Sequence, residues 1–238
     1  MATDTSRGKV VLFEDFIGWD IIADKPEFAV DTDPVIEVVG GSGGQNGVIR
    51  FTMDAGQANI GGILFGQTQW DISQGPLIME ARVKLSAVGS ADERVGMWLT
   101  DLQEDTLSEY PFTIATTAAT AAADPNDAIG IFWEGNATNA SWYPLSQKTD
   151  SLVIDGVTNV AAADRVGPTA DTWQTLKMVI YPGATVCEFF VDGKLLYRYE
   201  GAAAIADVPL IPVIGVTEGT TAINFDVDYV YLEVPRAS

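Results

Sequence analysis

The residues able to do chemistry in this 238-residue sequence are mostly carboxylates: 33 Asp and Glu stand against 13 Lys and Arg, with no histidine and one cysteine. Two carboxylates on alternate residues of one strand share a face, which lets an acid and a nucleophile flank one glycosidic bond. Asp226-Val-Asp228 has that spacing, but both groups are aspartates, and no Glu-x-Asp occurs anywhere. The missing histidine removes Ser-His-Asp triads, His-liganded zinc and an imidazole charge switch near neutral pH. Cys187 alone makes neither an internal disulfide nor a cysteine-rich metal site. Asp124, Asn126 and Asp127 place three oxygen side chains within four residues. Calcium wants about six to eight oxygens, more than this segment supplies. A turn whose Asp and Asn cap their own backbone is the favoured reading, with calcium as the alternative and no other cofactor implied. Gly40-Gly41-Ser42-Gly43-Gly44 lacks the lysine and helix of a phosphate cradle and reads as a flexible turn.

Binding chemistry is better represented than catalysis. A sugar presents C–H faces that stack on aromatic rings and hydroxyls that polar groups fix. On strand parity Trp98 and Phe132 share faces with Thr100, Glu80, Arg82 and Glu134, while Trp142 lies in or beside a loop. Arg82, Trp98, Phe132, Glu134 and Trp142 are therefore the candidate carbohydrate contacts. The competing reading is that such rings fill the core or lie under a long loop.

The elements that must position these residues are strands. LIMEARVKL, residues 77–85, alternates apolar and polar, as do VGMWLTD from Val95 and AIGIFWEG from Ala128. TLKMVIY, VCEFFVDG and KLLYRYEG follow at short intervals, and AINFDVDYVYLEV is rich in β-branched and aromatic residues. Roughly a dozen strands are expected, separated by Gly, Pro, Asn and Asp punctuation. Asp192-Gly193 predicts a two-residue hairpin. Its register places Cys187, Phe189 and Val191 on one apolar face, so Cys187 is expected to be a small buried hydrophobe. The Ala-rich stretch Ala115–Asp124 lacks a large apolar face and is expected to be a loop or short turn rather than a helix. The net charge, 13 − 33 = −20, argues against phosphate-backbone binding and against docking on an anionic membrane. The start, MATDTSRGKVVLFEDF, has no basic-then-apolar leader. Synthesis in a cytosol is the expectation, and the sequons at Asn136 and Asn139 are then fortuitous.

Trp173 opening a strand, the Phe189-Phe-Val-Asp-Gly193 hairpin and the Asp228-Tyr-Val230 closing strand resemble the concanavalin A-like lectin/glucanase family, which includes laminin-G-like domains. LFEDF resembles its opening strand, and IMEARVKL with VGMWLTD resembles the central strands of its concave sheet. The resemblance implies an all-β jelly-roll sandwich of two antiparallel sheets over residues 9–238, preceded by a short polar arm, 1–8. Glycosidases of this fold carry E-x-D-x-E or E-x-D-x-x-E on one strand, which this sequence lacks, so the expectation is not an enzyme. Stand-alone domains with a similar FEDF start resemble tailed-phage virion proteins. That resemblance implies a capsid-decorating, head-fibre or tail-associated structural protein on the virion surface, made in the host cytoplasm. Its expected partners are the capsid and further copies of itself in a homo-oligomer, with a cell-surface glycan as a possible ligand. A carbohydrate-binding module or lectin is the alternative, and a glycoside hydrolase ranks third.

Overall fold

The computed structural model describes residues 9–16, 28–31, 35–39, 47–55, 60–65, 70–73, 75–88, 93–101, 110–114, 118–122, 125–135, 141–217 and 219–235. The expected polar arm, the Gly40–Gly44 turn, Asp124 and both sequon asparagines lie outside them. In chain order the described strands are β1 Lys9–Glu14, β2 Phe28–Asp31, β3 Val35–Val38, β4 Ile49–Met53, β5 Ile60–Phe65 and β6 Leu77–Leu85. There follow β7 Arg94–Thr100, β8 Phe112–Ile114, β9 Ala119–Ala121, β10 Ala128–Glu134, β11 Tyr143–Lys148 and β12 Ser151–Asp155. The last are β13 Gln174–Ile180, β14 Val186–Val191, β15 Lys194–Glu200, β16 Ile211–Thr217 and β17 Ile223–Pro235.

All but β8 and β9, which pair only with each other, form two antiparallel sheets that face one another. An eight-stranded sheet runs β15-β14-β13-β6-β17-β4-β3, with β1 pairing the second half of β17. A seven-stranded sheet runs β12-β11-β10-β7-β16-β5-β2. The long β17 is thus bordered end to end by two short strands, β4 and β1. A bulge near Asp228 flips its parity: Phe225 and Val227 point inward before it, Val230, Leu232 and Val234 after it.

The alternation in β6 does what its sequence implies. Leu77, Met79, Ala81, Val83 and Leu85 join the core between the sheets, leaving Ile78, Glu80, Arg82 and Lys84 outside. One expectation is corrected here. IMEARVKL and VGMWLTD do not lie side by side in one sheet: β6 is central in the eight-stranded sheet and β7 in the seven-stranded one. Period-2 alternation says which residues share a face, but not which sheet a strand joins.

The Asp192-Gly193 hairpin forms with φ of 50° and 74° at its two central residues, and the Asp192 carboxylate accepts the Thr175 amide at 2.8 Å. At the end of β1, the FEDF segment makes a corner: Phe16 takes a left-handed φ of 57° and its amide donates to the Glu14 carboxylate at 3.1 Å. Among the described residues no helix is long and apolar enough to cross a membrane.

Cys187 packs in the inter-sheet core beside Phe189, and burial pushes its thiol up to about 12. The thiolate that would react is therefore scarce at neutral pH. Iodoacetamide should label the native protein very slowly and the guanidinium-unfolded protein fast; rapid native labelling, read by mass spectrometry, would contradict the packing.

Candidate functional site

The outward face of the eight-stranded sheet is a ladder of charges. Asp226, nearly enclosed, accepts from Arg50 Nε at 2.7 Å and faces Lys84 Nζ at 3.0 Å. Asp228 pairs with Arg82 at 2.7 Å, and Arg82 and Lys84 both lie about 5 Å from the Trp173 ring centre (5.0 and 4.9 Å). The alternate-residue aspartates are thus held by cations instead of flanking an open cleft. Burial by itself raises the Asp226 carboxyl, but the bonds from Arg50 and Lys84 outweigh it and hold the group below its ordinary value. A depressed folded-state pKa contributes stability above the unfolded value, near ~3.9, and that contribution is lost as pH falls through the folded value. Stability should therefore decline in acid below about pH 4. Asp226→Asn should lower stability at pH 7 and flatten this acid slope, as read from urea midpoints at several pH values; an unchanged slope would contradict the pairing.

The outward face of the seven-stranded sheet is built differently. Gly62, Gly215 and Gly96 lie directly across from one another on β5, β16 and β7, and Phe132 and Tyr143 continue the row on β10 and β11. The next row is Leu64, Val213, Trp98, Gly130 and Leu145. Three adjacent glycines make a floor onto which rings can lie. A methyl group on Gly215 would run into the Trp98 ring, and one on Gly96 would sit 2.6 Å from Phe132 and 2.8 Å from the Tyr110 hydroxyl. The rings interlock: Trp98 and Tyr110 edge to face at 5.2 Å, Phe112 and Phe132 at 4.8 Å, Tyr110 and Phe132 at 5.7 Å.

The β8–β9 hairpin roofs this floor. Tyr110, Phe112, Ile114 and Ala119 are buried with Trp98, Phe132, Tyr143 and Leu145 in a second apolar cluster, distinct from the inter-sheet core. Glu134, 0% exposed, anchors the roof. Its carboxylate accepts the Ile114 amide and lies 3.2 Å from Arg94 Nε. Gln147 donates to the carbonyls of Pro125 and Ala122, tying down the chain beyond β9. The described part of the Ala-rich stretch is a short strand in this hairpin, not a helix.

The five residues nominated for sugar contact thus fall in three places. Trp98, Phe132 and Glu134 come together, but beneath the hairpin, with Trp98 only 1% exposed. Trp142 belongs to the inter-sheet core and donates its indole N–H to Gln174 at 3.0 Å. Arg82 stands on the opposite side of the sandwich, its side chain 42% exposed. In this conformation none of the three rings offers a face to solvent. Tyr110, Phe112 and Ile114 were not among the nominated residues; the signal that points to them is the run of strand-interior glycines, which marks close approach of another segment.

In the acidic turn, the Asp127 carboxylate accepts the Ala206 amide at 2.7 Å, while Asp127's own amide donates to Asp101 at 3.0 Å. The Asn126 carbonyl accepts the Asp150 amide at 3.0 Å. Asp127 caps a distant segment rather than its own turn. Among the described residues no three Asp, Glu or Cys side chains are grouped to hold a metal.

No protein-family model matches the sequence, and no curated protein is detectably similar to it. Solved structures are similar in shape. A structure from work on endo-acting O-glycanases of human gut microbiota that initiate mucin breakdown superposes with a TM-score of 0.61 at 12% identity, covering 95% of this chain and 99% of that one. The Bacillus licheniformis β-glucanase gives 0.57 at 14% identity, covering 93% and 97%. Peanut lectin gives 0.57 at 9% identity, covering 94% and 97%. With the strand order and the two facing sheets, these place the chain in the concanavalin A-like lectin/glucanase jelly-roll fold.

Proposed function

We propose that this chain is a non-catalytic glycan-binding module, carried as a structural component of a virus particle. The observation that supports it best is the outer face of the seven-stranded sheet. There, aromatic rings are assembled over a glycine floor and roofed in this conformation by the β8–β9 hairpin, while Glu134 holds Arg94 and the Ile114 amide through Oε2. A carboxylate so engaged holds the hairpin in place; it is not set up as one member of an acid–nucleophile pair. Structural neighbours that include a lectin and glycanases support sugar as the ligand class. The particle setting rests on the sequence alone, through the FEDF resemblance. Many copies, most simply a symmetric homo-oligomer beside the capsid or tail, would turn weak binding into firm attachment.

A glycan array probed with the protein multimerised on beads tests the binding, with signal expected for at least one glycan. Release of reducing ends from a polysaccharide, abolished by Glu134→Gln, would overturn the non-catalytic reading. Mass spectrometry of purified virions tests the setting, and absence of the chain from particles would overturn it.

A further inference from the structure

We infer that the outward face of the eight-stranded sheet docks a second copy of this chain, related to the first by a two-fold axis. The inference gives the many-copy part of the proposed function a surface, and it stands without a glycan. The chain's scarce cations are gathered here. To Arg50, Arg82 and Lys84 the face adds Lys9, Lys177 and Arg198, which makes six of the 13 Lys and Arg. Its strands present seven carboxylates: Asp226 and Asp228, the glutamates 80, 188, 200 and 233 that pair with these cations, and Glu37 across from Arg50. The face thus carries 6 − 7 = −1, and −20 − (−1) = −19 falls on the rest of the chain.

Charge selects the occupant. Two copies at −20 repel wherever their acidic surfaces meet, and a face near neutrality spares them that cost. A cationic partner would be drawn to the surface that holds the −19, and an anionic one repelled by it. A two-fold interface sets a patch against itself, so the patch must be self-complementary. One row across the sheet has that property. Phe13, Tyr231, Glu80, Lys177, Phe190 and Leu195 lie directly across from one another on β1, β17, β6, β13, β14 and β15. An axis in the plane of the face, crossing this row between Glu80 and Lys177, sets each Glu80 against the other copy's lysine. It also sets the apolar ends together, Phe13 and Tyr231 over Leu195 and Phe190. Those ends are open: Phe13 and Leu195 are each 44% exposed. Within one chain Glu80 and Lys177 are only loosely paired, at 3.8 Å, which leaves both with capacity for a second partner. The opposite face of the sandwich offers no such surface, since the β8–β9 hairpin lies over it.

Sedimentation equilibrium in about 0.15 M salt, where repulsion is screened beyond about 8 Å, tests the inference. Wild type should form a dimer with a Kd of about 1–100 µM, because a face so polar binds weakly. Lys177→Glu and Glu80→Lys should each weaken it at least about tenfold by setting like charges together. An equimolar mixture of the two variants should associate within about threefold of wild type, since each then meets its opposite, and this recovery also shows that both fold. Leu195→Asp, at an exposed edge position, should weaken the dimer as well. Wild type that stays monomeric, or assembles into something other than a dimer, would overturn the inference. So would a dimer that the single variants retain in full, or a mixture no tighter than either variant alone. The bead-multimerised glycan array needs no dimer: a monomer that binds there would overturn this interface and leave glycan binding standing, and a dimer that binds no glycan would do the reverse.

Discussion

Trp98→Ala should destabilise the protein by about 3–5 kcal/mol, the range for emptying a buried aromatic site. The ring rests on Gly215, packs edge to face with Tyr110 at 5.2 Å and meets Phe132 at 5.6 Å, at 1% exposure. The glycine floor has no side chains with which to refill the space, so collapse around the cavity is limited. Guanidinium unfolding followed by the remaining tryptophans measures the loss. Phe13→Ala is the control. Phe13 is 44% exposed on β1 with its ring 5.9 Å from that of Tyr229, and its removal should cost about 1 kcal/mol or less. If the two substitutions cost the same, Trp98 is a surface platform in solution and the hairpin does not cover it. The expected result also bears on binding assays: lost binding in Trp98→Ala would report a damaged face.

The contrast between Trp98 and Arg82 shows where the sequence was legible. In β6, polar residues stand opposite apolar ones, so parity alone places Arg82 outward and Met79 inward, and the structure agrees. The same rule holds in β14, where Cys187, Phe189 and Val191 share the buried face, and at Asp192-Gly193, whose turn conformation only a few residue pairs accept. In β7 and β10 the rule also put Trp98 and Phe132 on the face away from the core, correctly. What it could not say is that this face is buried too, because strand parity is silent about a segment that returns from elsewhere in the chain to cover it. The burial pattern of β10 is unbroken, and its sequence AIGIFWE lacks a polar outer row. A strand buried on both faces reads as a continuous apolar run, and that run, with Gly96 and Gly215 at matching positions, was the available clue. Tyr110 and Phe112 are harder to foresee, because they act from a two-strand hairpin whose pairing spans three residues on each side. Arg82 failed as a partner of Trp98 for another reason: pairing of β6 with β13 and β17, and of β7 with β10 and β16, is decided by long-range register, not by local pattern.

Glu134→Ala should cost about 3 kcal/mol, near the lower end of the range for breaking a buried ion pair. Arg94 retains partial access to water, its side chain being 23% exposed, which softens the penalty of leaving its charge alone. The loss has a second part. The Ile114 amide gives up its acceptor, and a hairpin of three residue pairs is not stable without the surface beneath it. Glu134→Gln keeps an oxygen for that amide but removes the charge opposite Arg94, so it should lose about half as much. Hydrogen exchange locates the effect. The Ile114 amide should exchange much faster in Glu134→Ala than in Glu134→Gln, while the amides of β13 and β14, in the other sheet, keep their relative protection. Equal exchange at Ile114 in both variants would mean that the apolar contacts of Phe112 and Tyr110 hold the hairpin unaided. Combined with Trp98→Ala, the loss should be less than the sum of the single effects, since both substitutions undo the same docked hairpin and it can be undone only once. Strict additivity would instead make the carboxylate and the aromatic floor independent, and Glu134 would be an ion pair that merely lies near the roof.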